Sequence, residues 1–431
     1  MIDIILQFIV GGCFIALIIV LFFEKTDYIT YSIFLMVVAA IATAILRPDI
    51  LIVPGHPPVE FFVNAINWEI IFFLIAIFAI VEVLTDKKVF QKIALVIVQK
   101  NSKDKRKLFY IFCIVSTISA AFIEDLSVAL VFGPIILLAS KKLEINPTPY
   151  LLGMTITINL AATLTPFGSA QNILIANEIS INGLNPHQIW FITYLGVYFL
   201  ITLIVTLVLL DKYVLQPSLK KKYEYACSLE SALDARELDK IQVSKKEFSK
   251  NLIGLLILVV LLVTIREIYV AGIIAMLIFI FMNPVQNEEG KKQVALSYYL
   301  RRVDYKLVYF FICLFIFVGL LEANGTLVFI ESFFLGLPKE NEFLIALIVL
   351  LITSLLSGFM DNAPVTLIFI PIINDFISGG FGTNALVVAF VIGINIGGNF
   401  LPQGSACDMA TLDIAQKNCV VDLPFKRLFK V

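Results

Sequence analysis

Long apolar segments constrain this chain more than any other feature of its sequence. A helix that crosses the hydrocarbon core of a bilayer, about 30 Å thick, needs roughly 20 predominantly apolar residues. Such segments lie near residues 4–23, 28–46, 68–84, 189–210, 251–265, 268–282 and 305–321. Of the 431 residues 60% are hydrophobic, and the mean hydropathy is +0.96. The sequence therefore predicts an all-α polytopic membrane protein rather than a soluble domain.

Four further apolar regions do not read as ordinary spans. Residues 108–140 and 343–376 are apolar with a polar midpoint, and residues 150–179 and 385–415 are interrupted by Asn, Gly and Pro. The first type predicts a helical hairpin and the second a transmembrane helix that is broken part-way. Together with the continuous segments they make about eleven membrane elements.

The placement of Lys and Arg predicts the orientation, because basic residues near span ends mark the cytoplasmic side. Basic clusters lie at 87–107, 141–142, 301–306 and 426–430. Both ends of the first hairpin region are basic, so we expect it to be re-entrant, entering and leaving on the cytoplasmic side. We expect the N-terminus outside the cell membrane and the C-terminus in the cytoplasm.

The chain divides into two halves that share motifs. Residues 119–136 align without gaps to 356–373 at an offset of 237, and residues 154–174 align to 390–410 at an offset of 236. Polar residues, Pro and Gly recur at matched spacing, and the predicted orientations of the halves are opposite. We therefore predict two inverted repeats, residues 1–210 and 251–431, joined by a charged cytoplasmic linker at 211–250. Inverted repeats with broken helices are typical of alternating-access transporters.

The breaks and the hairpin tips are the candidate functional positions. Pro166 and Pro402 each lack a backbone N–H inside an apolar segment, and the unpaired groups that result are tolerated only where they line a polar cavity. The tips carry Glu124–Asp125 and Asp361–Asn362. Carboxylates at membrane depth are costly and usually mark a proton, cation or substrate path. Asp408, just after the second break, is a further candidate for proton or cation coupling, whereas Asp413 is expected at the interface and His56 and His187 in outer loops.

Three stretches carry a family resemblance: GGNFLPQGSACDMATLDIAQK, AATLTPFGSAQNILIANE and DNAPVTLIFIPII. They resemble the ion transporter superfamily, above all its arsenite-permease and sodium/proton-antiporter branch, which is grouped with citrate-transporter-like permeases. The resemblance implies two inverted repeats, each with a re-entrant hairpin and a broken helix, assembled as a homodimer. It also implies substrate or ion contacts at Glu124, Asp125, Asn159, Thr165, Gly168, Ser169, Asn172, Asp361, Asn362, Asn395, Asn399, Gly404, Ser405 and Asp408.

The function expected from these observations is secondary active transport of a small anion such as arsenite, with sodium or a proton as the coupling ion. A sodium/proton antiporter that titrates Asp361, Asp408 or Asp125 is the alternative, and a polytopic membrane enzyme is a distant one. The first break reads Gly-Ser-Ala-Gln-Asn, and the Ser-Asn-Thr signature of the dicarboxylate branch is absent. These departures argue against a di- or tricarboxylate substrate.

The sequence contains no ATP-binding or catalytic motif. We accordingly expect no cofactor, no metal other than a transported sodium ion, and no nucleic-acid partner, and an ATPase partner is left open.

Overall fold

The structure, a computed structural model, describes residues 2–21, 27–52, 58–101, 103–179, 186–220, 244–265, 267–286, 292–303, 305–328, 332, 341–359, 361–380, 383–401, 404–418, 420 and 423. Several residues that the sequence singles out lie outside these ranges: His56, Pro402, Lys426, Arg427 and Lys430.

The first half of the described chain is entirely helical apart from its connections. Its helices are α1 (Ile2–Leu21), α2 (Tyr28–Leu46), α3 (Val59–Ala65), α4 (Trp68–Asp86), α5 (Val89–Asn101), α6 (Lys105–Ala120), α7 (Asp125–Lys142), α8 (Thr148–Ala161), α9 (Ala170–Glu178) and α10 (Gln188–Leu210). A single 3₁₀ turn, Pro48–Leu51, follows α2.

The second half repeats this pattern of long and interrupted helices. Its helices are α11 (Lys245–Thr264), α12 (Ile268–Met282), α13 (Leu296–Leu300), α14 (Tyr305–Ala323), α15 (Glu342–Phe359), α16 (Asn362–Ser378), α17 (Thr383–Gly397) and α18 (Ala406–Lys417). The β-structure of the described residues is one antiparallel pair of two-residue strands, β1 (Val285–Gln286) and β2 (Lys292–Gln293). The all-α prediction is therefore confirmed.

Among the residues that the structure describes, seven helices are long and apolar enough to cross a membrane, which confirms a multi-pass membrane protein. Ile268–Met282 has the predicted bounds, although its 15 residues are short for a span. One detail differs from the sequence prediction: Glu342–Phe359, expected as one arm of a hairpin, has 18 residues, about 27 Å at 1.5 Å per residue. Each hairpin region forms two helices with a short break between them, α6–α7 and α15–α16. Their re-entrant insertion stays a prediction.

Two helices, α4 and α14, lie at the centre of the fold. Their side chains are buried on nearly all sides, as for Phe73 and Phe317. Neighbouring helices pack closely: a Cβ on Gly272 of α12 would lie 2.9 Å from the Phe73 ring, and Phe14 of α1 packs edge-on against Phe317 with ring centroids 5.8 Å apart. In contrast, α1, α2 and α10 expose large apolar side chains such as Val197, 67% exposed. Exposed apolar faces of this kind are typical of helices that contact lipid or another subunit.

The basic segment after α4, which the sequence marks only by its cluster of lysines, is largely helical. Helix α5 packs against α7, with the rings of Phe90 and Phe132 6.1 Å apart. Its apolar residues Phe90, Ile93 and Ile97 recur every three to four positions, the pattern of one helix face, which the cluster of lysines obscured.

Helix α10 extends into the region interpreted as the linker. A π-helical turn, Asp211–Leu215, and a further turn, Gln216–Leu219, continue it. Asp211 is buried, and its two carboxylate oxygens accept hydrogen bonds from Arg106 Nε at 3.0 and 2.9 Å. This ion pair fixes the start of α6 against the end of α10.

Candidate functional site

The first broken helix consists of α8, a break at residues 162–169, and α9. The side-chain amide of Asn172 donates to the carbonyls of Ala162 and Thr165, so it satisfies two acceptors that the break leaves without helical partners. The Thr165 hydroxyl donates to the Ala121 carbonyl and accepts from the N–H of Gly168 at 3.2 Å. The break therefore packs directly on the turn between α6 and α7.

The second broken helix, α17 and α18, packs on the second helix pair in the same way. A Cβ on Gly404 would lie 2.6 Å from the Ser357 carbonyl, so this close approach needs glycine. The Ser357 hydroxyl is close to the Asn362 amide and lies 2.7 Å from the Ile394 carbonyl. Pro402, expected at this break, lies outside the described residues.

Asn159 of α8 reaches across to the other half of the molecule. Its Nδ2 donates to Asn399 Oδ1 at 2.9 Å and to Asp408 Oδ2 at 3.2 Å, and its Oδ1 accepts from Ser405 Oγ at 2.9 Å. The Thr155 hydroxyl donates to the other oxygen of Asp408. All these side chains except that of Asn399 are buried, so the Asp408 carboxyl group is held by α8 rather than by water.

Asn395 of α17 makes the corresponding contact in the opposite direction. Its Nδ2 donates to Asn172 Oδ1 at 3.0 Å, and its Oδ1 accepts from Gln171 Nε2 at 3.2 Å. Each broken helix thus uses an asparagine before its own break to bind the helix that follows the other break. This exchange of hydrogen bonds holds the two breaks side by side.

A small cavity of about 20 Å³ lies where the two breaks and the two helix pairs meet. Its described lining residues are Glu124, Asp125, Ala170, Gln171, Leu307, Phe311, Asp361, Asn362, Ala363, Ser405 and Ala406. A space of this size holds one water molecule or one small ion.

Four helices begin at the cavity wall. Their first residues are Asp125, Ala170, Asn362 and Ala406. The first N–H groups of a helix have no partner within the helix, and each N-terminus carries a partial positive charge of about half an elementary charge. The cavity is therefore surrounded by positive helix ends, an arrangement that favours negative charge.

Three carboxyl groups at the same cavity counteract the positive charge of the helix ends. Glu124 and Asp125 are buried, and Asp361 is half-buried. Glu124 Oε2 accepts from the backbone N–H of Ser127 at 2.9 Å and from its hydroxyl at 3.0 Å. Asp361 precedes α16, and its side chain makes no such capping bond. Among the described lining residues there is no Lys or Arg, so protons, a cation or the helix ends must balance these carboxylates.

The structure brings the predicted site residues together in two groups, one that lines the cavity and one that surrounds it. Five of them line the cavity: Glu124, Asp125, Asp361, Asn362 and Ser405. The others lie in the breaks or in the hydrogen-bond network around it: Asn159, Thr165, Gly168, Ser169, Asn172, Asn395, Asn399, Gly404 and Asp408. Asp413 is exposed and pairs with Lys417 at 2.6 Å, and His187 lies just before α10.

Sequence reasoning missed several residues at the site. Gln171 and Thr155 are buried polar partners of the network, and Leu307 and Phe311 form the apolar side of the cavity. The position of Gln171 between Ser169 and Asn172 was a usable signal. No comparable signal distinguishes Phe311 from the other aromatic residues of its helix.

Comparison with known proteins identifies the family. The sequence profile described as citrate transporter matches residues 18–395, which include both helix pairs and the first broken helix. The chain belongs to the citrate transporter family. The resemblance inferred from the paired motifs is thereby confirmed, although the match ends before the second break.

Relatives of this citrate transporter family member are mycobacterial membrane proteins. The chain is 24% identical to a 46 kDa membrane protein of Mycobacterium leprae over 362 residues, which cover 82% of this chain and 80% of that protein. It is 23% identical to an uncharacterized transporter of Mycobacterium tuberculosis, over 82% of this chain and 79% of that protein. A second uncharacterized transporter of Mycobacterium tuberculosis is 22% identical over 82% of this chain and 80% of that protein. Family and relatives together indicate a membrane transporter rather than an enzyme.

Proposed function

We propose that the protein is a cation-coupled secondary transporter that binds a small anion at the cavity between the two breaks. The observation that carries this proposal is the meeting of four helix N-termini with three carboxyl groups in one buried space. Helix ends suit an anionic group, and carboxylates suit a proton or a sodium ion. One site therefore offers chemistry for both partners of a coupled cycle.

The balance of charge supports coupling over simple anion binding. Four helix ends supply roughly two positive charges, whereas Glu124, Asp125 and Asp361 supply three negative charges when all are ionised. An anion entering with the carboxylates ionised would meet net repulsion. Protonation or bound sodium removes this repulsion, so the cation and the anion favour each other's binding.

A small carboxylate is the substrate class that we favour. The family is described by citrate, and a carboxylate is well matched to unpaired N–H groups at helix ends. The Gly-Ser-Ala-Gln-Asn sequence of the first break argues against di- and tricarboxylates. Arsenite, the small anion expected from the sequence, is the other substrate to test.

The size of the cavity bears on the mechanism. A carboxylate of several carbon atoms does not fit into about 20 Å³, the space of a single water molecule. Binding therefore requires the helix pairs to separate from α14 or from each other. Such a movement is the step that alternating access requires.

Sodium/proton antiport is the second candidate. It is favoured by the three carboxyl groups of the cavity and by the absence of Lys and Arg among its described lining residues. In that case the carboxylates would exchange protons for sodium, and no anion would move.

The two candidates are separated by transport assays in sealed proteoliposomes with imposed proton and sodium gradients. Citrate, smaller carboxylates, arsenite, phosphate and sulfate are offered as labelled substrates, with a pH-sensitive dye inside. Anion uptake that follows a cation gradient supports the proposal and identifies the substrate. Sodium-dependent proton flux without any anion movement would overturn it in favour of the antiporter.

A matched pair of variants connects the result to the site. Asp361→Asn removes a carboxylate of the cavity, and Asp375→Asn removes an exposed carboxylate of the same helix, α16. We expect the first to abolish the dependence on the cation gradient and the second to leave it unchanged. Equal behaviour of both variants would exclude Asp361 as a coupling group.

A further inference from the structure

A second and larger cavity, of about 530 Å³, lies further along three of the helices that line the first one, α9, α14 and α16. Its described lining residues are Asn64, Ala65, Ile66, Asn67, Trp68, Glu69, Glu178, Phe315, Val318, Gly319, Glu322, Leu367, Ile370 and Pro371. Three of them, Glu69, Glu178 and Glu322, are exposed carboxylates, and no Lys or Arg is among the described lining residues. We call this cavity the acidic basin.

Helix α14 passes along both cavities with one face. Leu307 and Phe311 line the small cavity, and Phe315, Val318 and Glu322 line the acidic basin. Residues three and four apart lie on the same side of a helix. These five positions therefore form one stripe, and Phe311 and Phe315 are separated by about one turn, roughly 6 Å.

Helix α16 shows the same arrangement on the facing side. Ala363 lines the small cavity, and Leu367 and Ile370 line the acidic basin. Their spacing of four and three residues again places them on one helix face. The two stripes thus run side by side from the small cavity to the basin. Helices α14 and α16 contact each other between these two stripes.

We propose that the groove between α14 and α16 is the route by which ions pass between the acidic basin and the small cavity, and that Phe311 and Leu367 close it. Both side chains are buried, at 2% and 5% exposure, and each lies at the boundary between the two cavities. The basin and its three carboxylates would then be the mouth of the route. This inference rests on the proposed function of the small cavity as the transport site.

The predicted orientation puts this mouth on the outer side. The acidic basin lies at the C-terminal end of α14, whereas the basic cluster Arg301, Arg302 and Lys306 lies at its N-terminal end. Because basic clusters mark the cytoplasmic side, α14 would run outward and the basin would open away from the cytoplasm.

Accessibility of introduced cysteines tests the route. A membrane-impermeant, positively charged methanethiosulfonate is added to one side of sealed vesicles, and each labelled site is quantified by mass spectrometry, so the native cysteines need not be removed. The variants are Glu322→Cys at the mouth, Leu367→Cys at the floor of the basin and Ala363→Cys in the wall of the small cavity.

We expect Glu322→Cys and Leu367→Cys to be labelled from the same side. Ala363→Cys should react about tenfold to a hundredfold more slowly, the range that one buried large apolar side chain represents. Adding Phe311→Ala should raise the labelling rate of Ala363→Cys towards that of Leu367→Cys. The matched control is Phe317→Ala, because Phe317 is equally buried on α14 but packs on Phe14, with ring centroids 5.8 Å apart, and is not among the described lining residues of either cavity.

Three results would overturn the inference. Leu367→Cys could fail to react from the side that labels Glu322→Cys, Ala363→Cys could react as fast as Leu367→Cys with Phe311 intact, or Phe317→Ala could open the site as much as Phe311→Ala. Labelling needs no transported substrate. The test therefore remains decisive even if the proposed transport activity fails.

Discussion

The two broken helices share a geometry but differ in charge. Asn159 and Asn395 occupy equivalent positions at an offset of 236, and each donates to the helix beyond the opposite break. The partner of Asn395 is the neutral amide of Asn172, whereas the partner of Asn159 is the carboxyl group of Asp408, which lies at the same offset from Asn172. The halves therefore repeat the contact and change only its chemistry.

Comparing Asn172 with Asp408 separates the contacts that hold the two breaks together from the group that we propose couples transport to a cation. A neutral amide at position 172 is sufficient to hold the two breaks together. Asp408 places a buried ionisable group at the equivalent position. Burying such a group has a desolvation cost, and the contact can form without that cost, as the amide of Asn172 shows. We therefore propose that Asp408 serves coupling rather than packing.

The largest expected effect follows from removing this difference. Asp408→Asn gives the second half the residue that the first half already accommodates, so we expect the protein to fold. Cation-driven uptake in proteoliposomes should fall by about tenfold or more, which corresponds to about 1.4 kcal/mol on the rate-limiting barrier. The control is Asp413→Asn on the same helix, since Asp413 is exposed and pairs with Lys417. Uptake by Asp408→Asn at the wild-type rate would show that the two halves are equivalent in function as well as geometry.

The next effect is on stability, as the difference between variants of the two asparagines. Asn159→Ala leaves the buried Asp408 without one of its donors, which we expect to cost about 1.5–3 kcal/mol, while Asn395→Ala breaks neutral hydrogen bonds worth about 0.5–1.5 kcal/mol. Thermal unfolding in detergent should give the lower midpoint for Asn159→Ala. In an Asp408→Asn background the difference should disappear, and a difference that persists there would mean that the charge is not its cause.

The offset between the halves could be read from the sequence, but the partners could not. Alignment pairs Asn159 with Asn395 as equivalent residues and says nothing of the contacts that each makes with the opposite half. The spans, the helix pairs and the positions of both breaks follow from apolar length and from Pro, Gly and Asn. These are local signals, and the structure forms helices where they predict them.

The apolar side chains of the site could not be identified from the sequence, for a physical reason. In a membrane helix such as α14, an apolar residue can face lipid, a neighbouring helix or a cavity, and Phe310 and Phe311 are adjacent with different environments. Only packing distinguishes them. The same limit applies to Thr155, whose hydroxyl is one of many in the apolar segments until α18 is placed beside it.

The serines at the starts of α9 and α18 also differ between the two halves, and the expected difference in the free energy of unfolding is smaller. Ser405 Oγ donates to Asn159, whereas Ser169 Oγ is buried without a hydrogen-bond partner among the described atoms. Ser405→Ala should cost about 0.5–1.5 kcal/mol, and Ser169→Ala should be close to neutral. Unfolding midpoints measured under one set of conditions decide this. A larger loss for Ser169→Ala would mean that its hydroxyl has a partner, such as a bound ion or water.

The smallest effect is expected at the acidic basin, where the halves again differ in charge. Glu322 corresponds to the neutral Thr85 at the offset of 237 that relates α4 to α14. Because Glu322 is exposed, Glu322→Gln should raise the apparent KM for the coupling cation by less than about fivefold at low ionic strength, and the effect should vanish in high salt, where exposed charges are screened. Glu247→Gln, an exposed residue outside the basin at the start of α11, is the control. A salt-independent change, or an equal change in Glu247→Gln, would mean that the basin does not attract the cation on its way to the cavity.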